Sequence, residues 1–88
     1  MLMVRVKKSG GRTEEFDASY ISAGVAKAGA KVKEAVQVAK EVSQQVARRS
    51  EITAQELSEI VAKTLRKINN TAANEFVRYR DEHRKGKK

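Results

Sequence analysis

Near the N-terminus, Lys7, Lys8 and Arg12 bracket the glycine pair Gly10-Gly11, with Ser9 between. Glycines allow a tight turn to present its backbone N–H groups, and cations beside such a turn suit an anionic ligand such as a polyphosphate. A basic turn alone is common, so its meaning depends on the elements around it. Catalytic chemistry is much harder to assemble. The chain has no cysteine and one histidine, His83, among charges near the C-terminus. A nucleophile, a base and a group to orient the base cannot be drawn from that set, and neither can a zinc site. Glu14, Glu15 and Asp17 cluster, but they alternate along a short strand and into a helix cap, which reads as a solvated edge rather than an acid/base pair. Neither GxxxxGK[ST] nor GxGxxG occurs. Tyr79 lies between Arg78 and Arg80. With Phe76 three residues earlier it reads as a core stripe with arginines at the rim, rather than as a stacking platform for a base.

The chain that must position these groups has 88 residues and a formal charge of +8. That length specifies one small domain of modest stability. Four of the eight charges come from Arg84, Lys85, Lys87 and Lys88, which read as a basic disordered tail over 84–88 behind a domain at 2–83. This placement weakens a nucleic-acid reading, because terminal basic runs also serve as solubilising ends. No apolar run approaches the ~18 residues of a membrane span, and no signal-peptide core is present, so the cytoplasm is the expected location.

Leu2, Val4 and Val6 alternate with Met3, Arg5 and Lys7, and after the glycines Arg12–Phe16 resumes as a second strand. Together they predict a β-hairpin. The period then changes to about 3.6. Asp17 should cap a helix from Ala18 with Ile21, Val25 and Ala28 inward, Gly24 within that stripe, and a break over 29–31. A second helix is expected from about Lys33 to Arg49, with Val32, Ala35, Ala39, Val42 and Val46 inward and Arg48 and Arg49 complementing the dipole of its last turn. Ile52 offers a brief third strand. Thr53-Ala54-Gln55-Glu56 reads as a capping box for a helix presenting Leu57, Ile60, Val61, Thr64, Leu65 and Ile68. Asn69-Asn70-Thr71 supplies a turn and cap before a last helix carrying Ala72, Ala73, Phe76, Val77 and Tyr79. The fold class is α+β: a four-helix bundle capped by a small mixed sheet made of the hairpin and the third strand.

The order of these pieces resembles the ATP-cone domain, a regulatory nucleotide-binding module of ribonucleotide reductases and of the repressor that controls their genes. The resemblance spans roughly residues 2–82. It rests on Val6, Lys8, Gly11, Phe16, Asp17, Ile21, Lys27-Ala28, Ile52 through Leu65, and Phe76, Val77, Tyr79 and Arg80. It implies a non-catalytic module that binds ATP or dATP, with Mg2+ as an accompanying ion, beneath the glycine turn. Lys8 and Arg80 would meet phosphate, Val6 would line the pocket, and Gly10 and Gly11 would allow close backbone approach. Glu14 and Asp17 would bond sugar or base, beside Tyr20 and Ile21 of the first helix. The chain departs from the family at Ser9, where arginine is usual, and at Tyr20, where a basic residue is frequent. Two lost charge-assisted contacts would cost about 1.5–3 kcal/mol each. Lys7, on the opposite strand face, and Arg12 are the available substitutes. Two other readings stay open: a ligand-free cone serving as a protein-interaction or oligomerisation module, and a small basic nucleic-acid-binding protein.

Overall fold

The structure, a computed structural model, describes residues 4–8 and 10–85, with side chains to residue 81. The strand positions Leu2 and Met3, the departure at Ser9, the His83 side chain and the end of the tail lie outside the described residues. The elements run β1 (Arg5–Lys7), β2 (Thr13–Glu15), α1 (Ala18–Lys27), α2 (Val32–Val46), β3 (Glu51–Thr53), α3 (Ala54–Ile68) and α4 (Asn70–Lys85).

The hairpin and third strand form one sheet of order β2-β1-β3, antiparallel between β1 and β2 and parallel between β1 and β3. Lys8 N–H donates to the Arg12 carbonyl (2.7 Å) and Gly11 N–H to that of Lys8 (2.9 Å), which closes the turn. Gly11 has φ +90°, a conformation costly to any residue with a Cβ. Alternation decides the faces. Val6 and Ile52, partners across the parallel pair, are both buried beneath the sheet, whereas Arg5 and Lys7 are exposed.

Four helices close a ring below the sheet: α1 packs on α2, α2 on α3, α3 on α4, and α4 on α1. Their core is built from small branched side chains, with Val25, Val38, Val42, Val46, Val61 and Leu65 fully buried. Leu57, Ile60, Ile68 and Phe76 pack partly buried against it. Asp17 caps α1, accepting from Ser19 N–H (3.0 Å) and Ser19 Oγ–H (2.7 Å). The Thr53–Glu56 capping box forms as expected at the start of α3.

Three boundaries differ from the sequence reading. Helix α2 ends at Val46, so Arg48 and Arg49 do not lie in its last turn. The chain must reverse within 47–50 because Ser50 already accepts from Arg5 N–H (3.0 Å) as β3 joins the sheet. On α2, Val32 is 76% exposed at the first helical position, and Val38 takes the core place. The expected Asn69–Thr71 turn contracts to Asn69 alone, which ends α3 and caps α4 by accepting from Ala72 N–H at 3.0 Å. Helix α4 continues to Lys85, into the stretch read as a tail.

Candidate functional site: a cationic groove at the sheet end

The register of the sheet sorts the charges on its outer face. Arg5 lies between Glu15 on β2 and Glu51 on β3, a row of alternating sign. One pleat further, Lys7 lies between Thr13 and Thr53, with no carboxylate opposite it. Lys7 has no ion-pair partner among the described residues, so the positive charge at this end of the sheet is not cancelled. Lys8 follows, half-buried, with its Nζ 3.5 Å from Glu14 Oε1. Both partners are over 40% exposed, so that pair is weak and exchangeable.

Because β3 passes directly into α3, the parallel pairing brings the first turn of α3 beside Lys7. The leading N–H groups of a helix lack acceptors in its own ladder and carry partial positive charge. Helix α4 supplies the third cation. Arg80 donates from Nη1 to Ser58 Oγ at 2.8 Å and from Nε to Asp81 Oδ1 at 3.3 Å, with its side chain 25% exposed. These elements enclose an open groove of about 850 Å3 lined by Lys7, Lys8, Gly11, Thr53, Ala54, Gln55, Ser58 and Arg80.

Of the residues expected from the sequence, Lys7, Lys8, Gly11 and Arg80 therefore meet in one groove. Glu14 touches it only through Lys8. Val6 is 7% exposed in the core and does not line the groove. Gly10 and Arg12 are exposed at the hairpin tip, Asp17 is committed to its cap, Tyr20 is 71% exposed, and Ile21 packs against the core. None of these five lines the groove. Thr53, Gln55 and Ser58 were not singled out from the sequence as site residues. The capping box was the available signal, since it marks where the first turn of α3 begins. Tyr79, expected in the core, is 55% exposed and forms the wall of a separate slot.

The groove thus gathers three side-chain cations beside a helix N-terminus. Among the described residues, no group of three or more His, Cys, Asp or Glu could hold a metal ion. Glu14 and Asp81, the acids nearest the groove cations, are both engaged in ion pairs. Also among the described residues, no helix is long and apolar enough to cross a membrane.

The chain is thus a four-helix domain covered by a small mixed sheet, with a cationic groove where the sheet meets α3 and α4. The family model of the ATP cone domain matches residues 4–85, and the chain belongs to that family. ATP cones are regulatory domains that bind adenine nucleotides. A search of curated proteins returned no match to this chain.

Proposed function

We propose that this domain binds ATP or dATP as a regulatory ligand, with the phosphates in the groove between the hairpin turn and α3. The convergence of Lys7, Lys8 and Arg80 on the first turn of α3 carries this reading. Lys8 would exchange Glu14 for phosphate, and Arg80 would turn from Ser58 and Asp81 toward the same group. Ala54 and Gln55 offer backbone N–H groups. Lys7 supplies the unpaired charge that compensates for the absence of an arginine at position 9. Mg2+ would enter with the nucleotide and be held by phosphate oxygens, since the groove's own side chains are cations and neutral donors.

A bound triphosphate links β1, α3 and α4, so it favours whichever arrangement of hairpin and bundle brings the three cations together. Regulation follows if a partner protein or a second copy of the chain prefers one arrangement, because a ligand shifts an equilibrium only by its differential affinity. Calorimetry with ATP and dATP tests the proposal. Lys8→Ala and Arg80→Ala should each weaken binding about tenfold or more, as expected for one charge-assisted hydrogen bond. Lys40→Ala, on exposed α2 surface, should leave binding unchanged. No heat at about millimolar nucleotide, near the weak limit of specific binding, counts against the proposal, as does binding indifferent to both groove substitutions.

A second reading, a protein-interaction module without a ligand, rests on Val32 and Val36. They are 76% and 57% exposed one turn apart on α2. Sedimentation of the full chain with and without nucleotide separates the two readings.

A further inference from the structure

At the end of the bundle remote from the sheet, cations gather with almost no acid among them. Residues 24–36 and 63–74 hold Lys27, Lys31, Lys33, Lys63, Arg66 and Lys67, with Glu34 the one carboxylate. All six cations are exposed. The two stretches meet at this end. The Asn69 Nδ2–Glu34 Oε1 bond (3.0 Å) ties the end of α3 to the start of α2, and residues 28–31 carry α1 into α2. Glu34 is held by that bond and by Lys31 N–H at 2.9 Å. Lys31 acts on the Glu34 carboxylate. Lys27, Lys33, Lys63, Arg66 and Lys67 have no ion-pair partner among the described residues.

Helix stability accounts for only part of this set. Lys27, Arg66 and Lys67 lie in last turns, where a cation complements the helix dipole. Lys31 and Lys33 do the opposite. They stand at the N-cap and in the first turn of α2, where positive charge is unfavourable and an acceptor oxygen is wanted at the cap. Two lysines placed against local stability, at the same end as the cations of α3, point to a use of the charge itself. The two stretches contain no aromatic side chain, so they offer neither a base-stacking platform nor the aromatic anchors of a protein interface. Beside the cations, Asn70, Thr71 and Asn74 are exposed neutral donors. Lysine and arginine with asparagine and threonine are side chains that hold a phosphate backbone without reading bases.

We infer that this pole binds the sugar-phosphate backbone of duplex nucleic acid without sequence preference. Adjacent helix axes lie about 8–10 Å apart, so cations on α1, α2 and α3 span several phosphates of a duplex that carries one charge per about 1.7 Å of axis. The groove at the sheet lies the length of α3 away, about 22 Å, so the two surfaces are separate. Fluorescence anisotropy of a labelled duplex of about 20 base pairs, titrated with the full chain from about 50 mM salt upward, tests the proposal. Affinity should fall steeply as salt rises. Lys33→Gln/Lys67→Gln should weaken binding about tenfold or more and flatten the log–log salt slope by about two. Lys40→Gln/Arg48→Gln removes the same charge from exposed residues outside the pole and should change affinity less than about twofold. Circular dichroism should show the helices intact in both variants. No binding at about 50 mM salt overturns the proposal. So does an equal loss from the two variants, which means diffuse charge alone, or binding undiminished by Lys33→Gln/Lys67→Gln. Poly-glutamate that binds more tightly than the duplex also overturns it and assigns the pole to an acidic protein.

Discussion

Asn69 holds the corner between α3 and α4 with three separate groups. Its backbone N–H donates to the Leu65 carbonyl (2.7 Å) and ends α3, while its Oδ1 accepts from Ala72 N–H and starts α4. Its Nδ2 donates to Glu34 Oε1 at 3.0 Å and ties that corner to the start of α2. Removing a helix N-cap costs about 0.5–2 kcal/mol, and here the Glu34 carboxylate loses a donor as well. Asn69→Ala should therefore lower the unfolding free energy by about 1–2 kcal/mol in urea titrations, with the slope of the transition unchanged. A deficit below a few tenths of a kcal/mol would show that the cap contributes little. The double role of Asn69 was only half legible in the sequence. Asn69-Asn70-Thr71 announced a turn and a cap, but the contraction to one residue depends on Glu34, thirty-five positions away.

At the scale of elements, three helix starts are held by carboxylates. Ser19 hydroxyl and N–H hold Asp17 below the ordinary carboxylate range. Asn69 and then Lys31 N–H do the same for Glu34, and Thr53 N–H and then Arg49 for Glu56. A carboxyl group whose pKa is lower in the folded state stabilises the fold above its unfolded pKa, and that contribution fades as pH falls toward the folded value. Stability should therefore stay nearly flat from about pH 7 to 5 and decline below about pH 4.3, where unfolded glutamates begin to take up protons. Urea midpoints across that range check this. Glu34→Gln should be less stable at neutral pH and should decline less steeply in acid, and an unchanged acid slope would refute the linkage. Two of these three caps were readable, because Asp17 and Thr53-x-x-Glu56 are local patterns, whereas the one at Glu34 was not read. The end of α2 was not, because the chain must turn after Val46 for β3 to pair with β1, a constraint from distant sequence.

For the whole molecule, the fold class could be read from a change of period and four amphipathic helical patterns, three of them capped, all short-range properties. The groove could be read only in part. Lys7, Lys8 and Gly11 are neighbours in sequence and announced themselves, and Arg80 came through the family resemblance. Gln55 and Ser58 face those cations only because β1 accepts a parallel partner from the middle of the chain. The hydrophobic pattern of α4 likewise could not say that Tyr79 would border a slot rather than fill the core, since that outcome depends on how α4 packs against α1.

The parallel pairing of β1 with β3 also sets the order of events when the chain folds. The α1–α2 and α3–α4 contacts join helices adjacent in sequence. The β1–β3 pair instead joins positions 46 apart, Val6 with Ile52, and the entropy of that closure must be met before its hydrogen bonds form. The helical pairs should form early and the sheet late. In stopped-flow experiments, Val42→Ala and Val61→Ala should mainly slow folding, whereas Ile52→Ala should mainly speed unfolding. Slowed folding for Ile52→Ala would reverse that order. A late-forming sheet means that the cationic groove, whose two sides meet across β1 and β3, is among the last parts of the protein to exist.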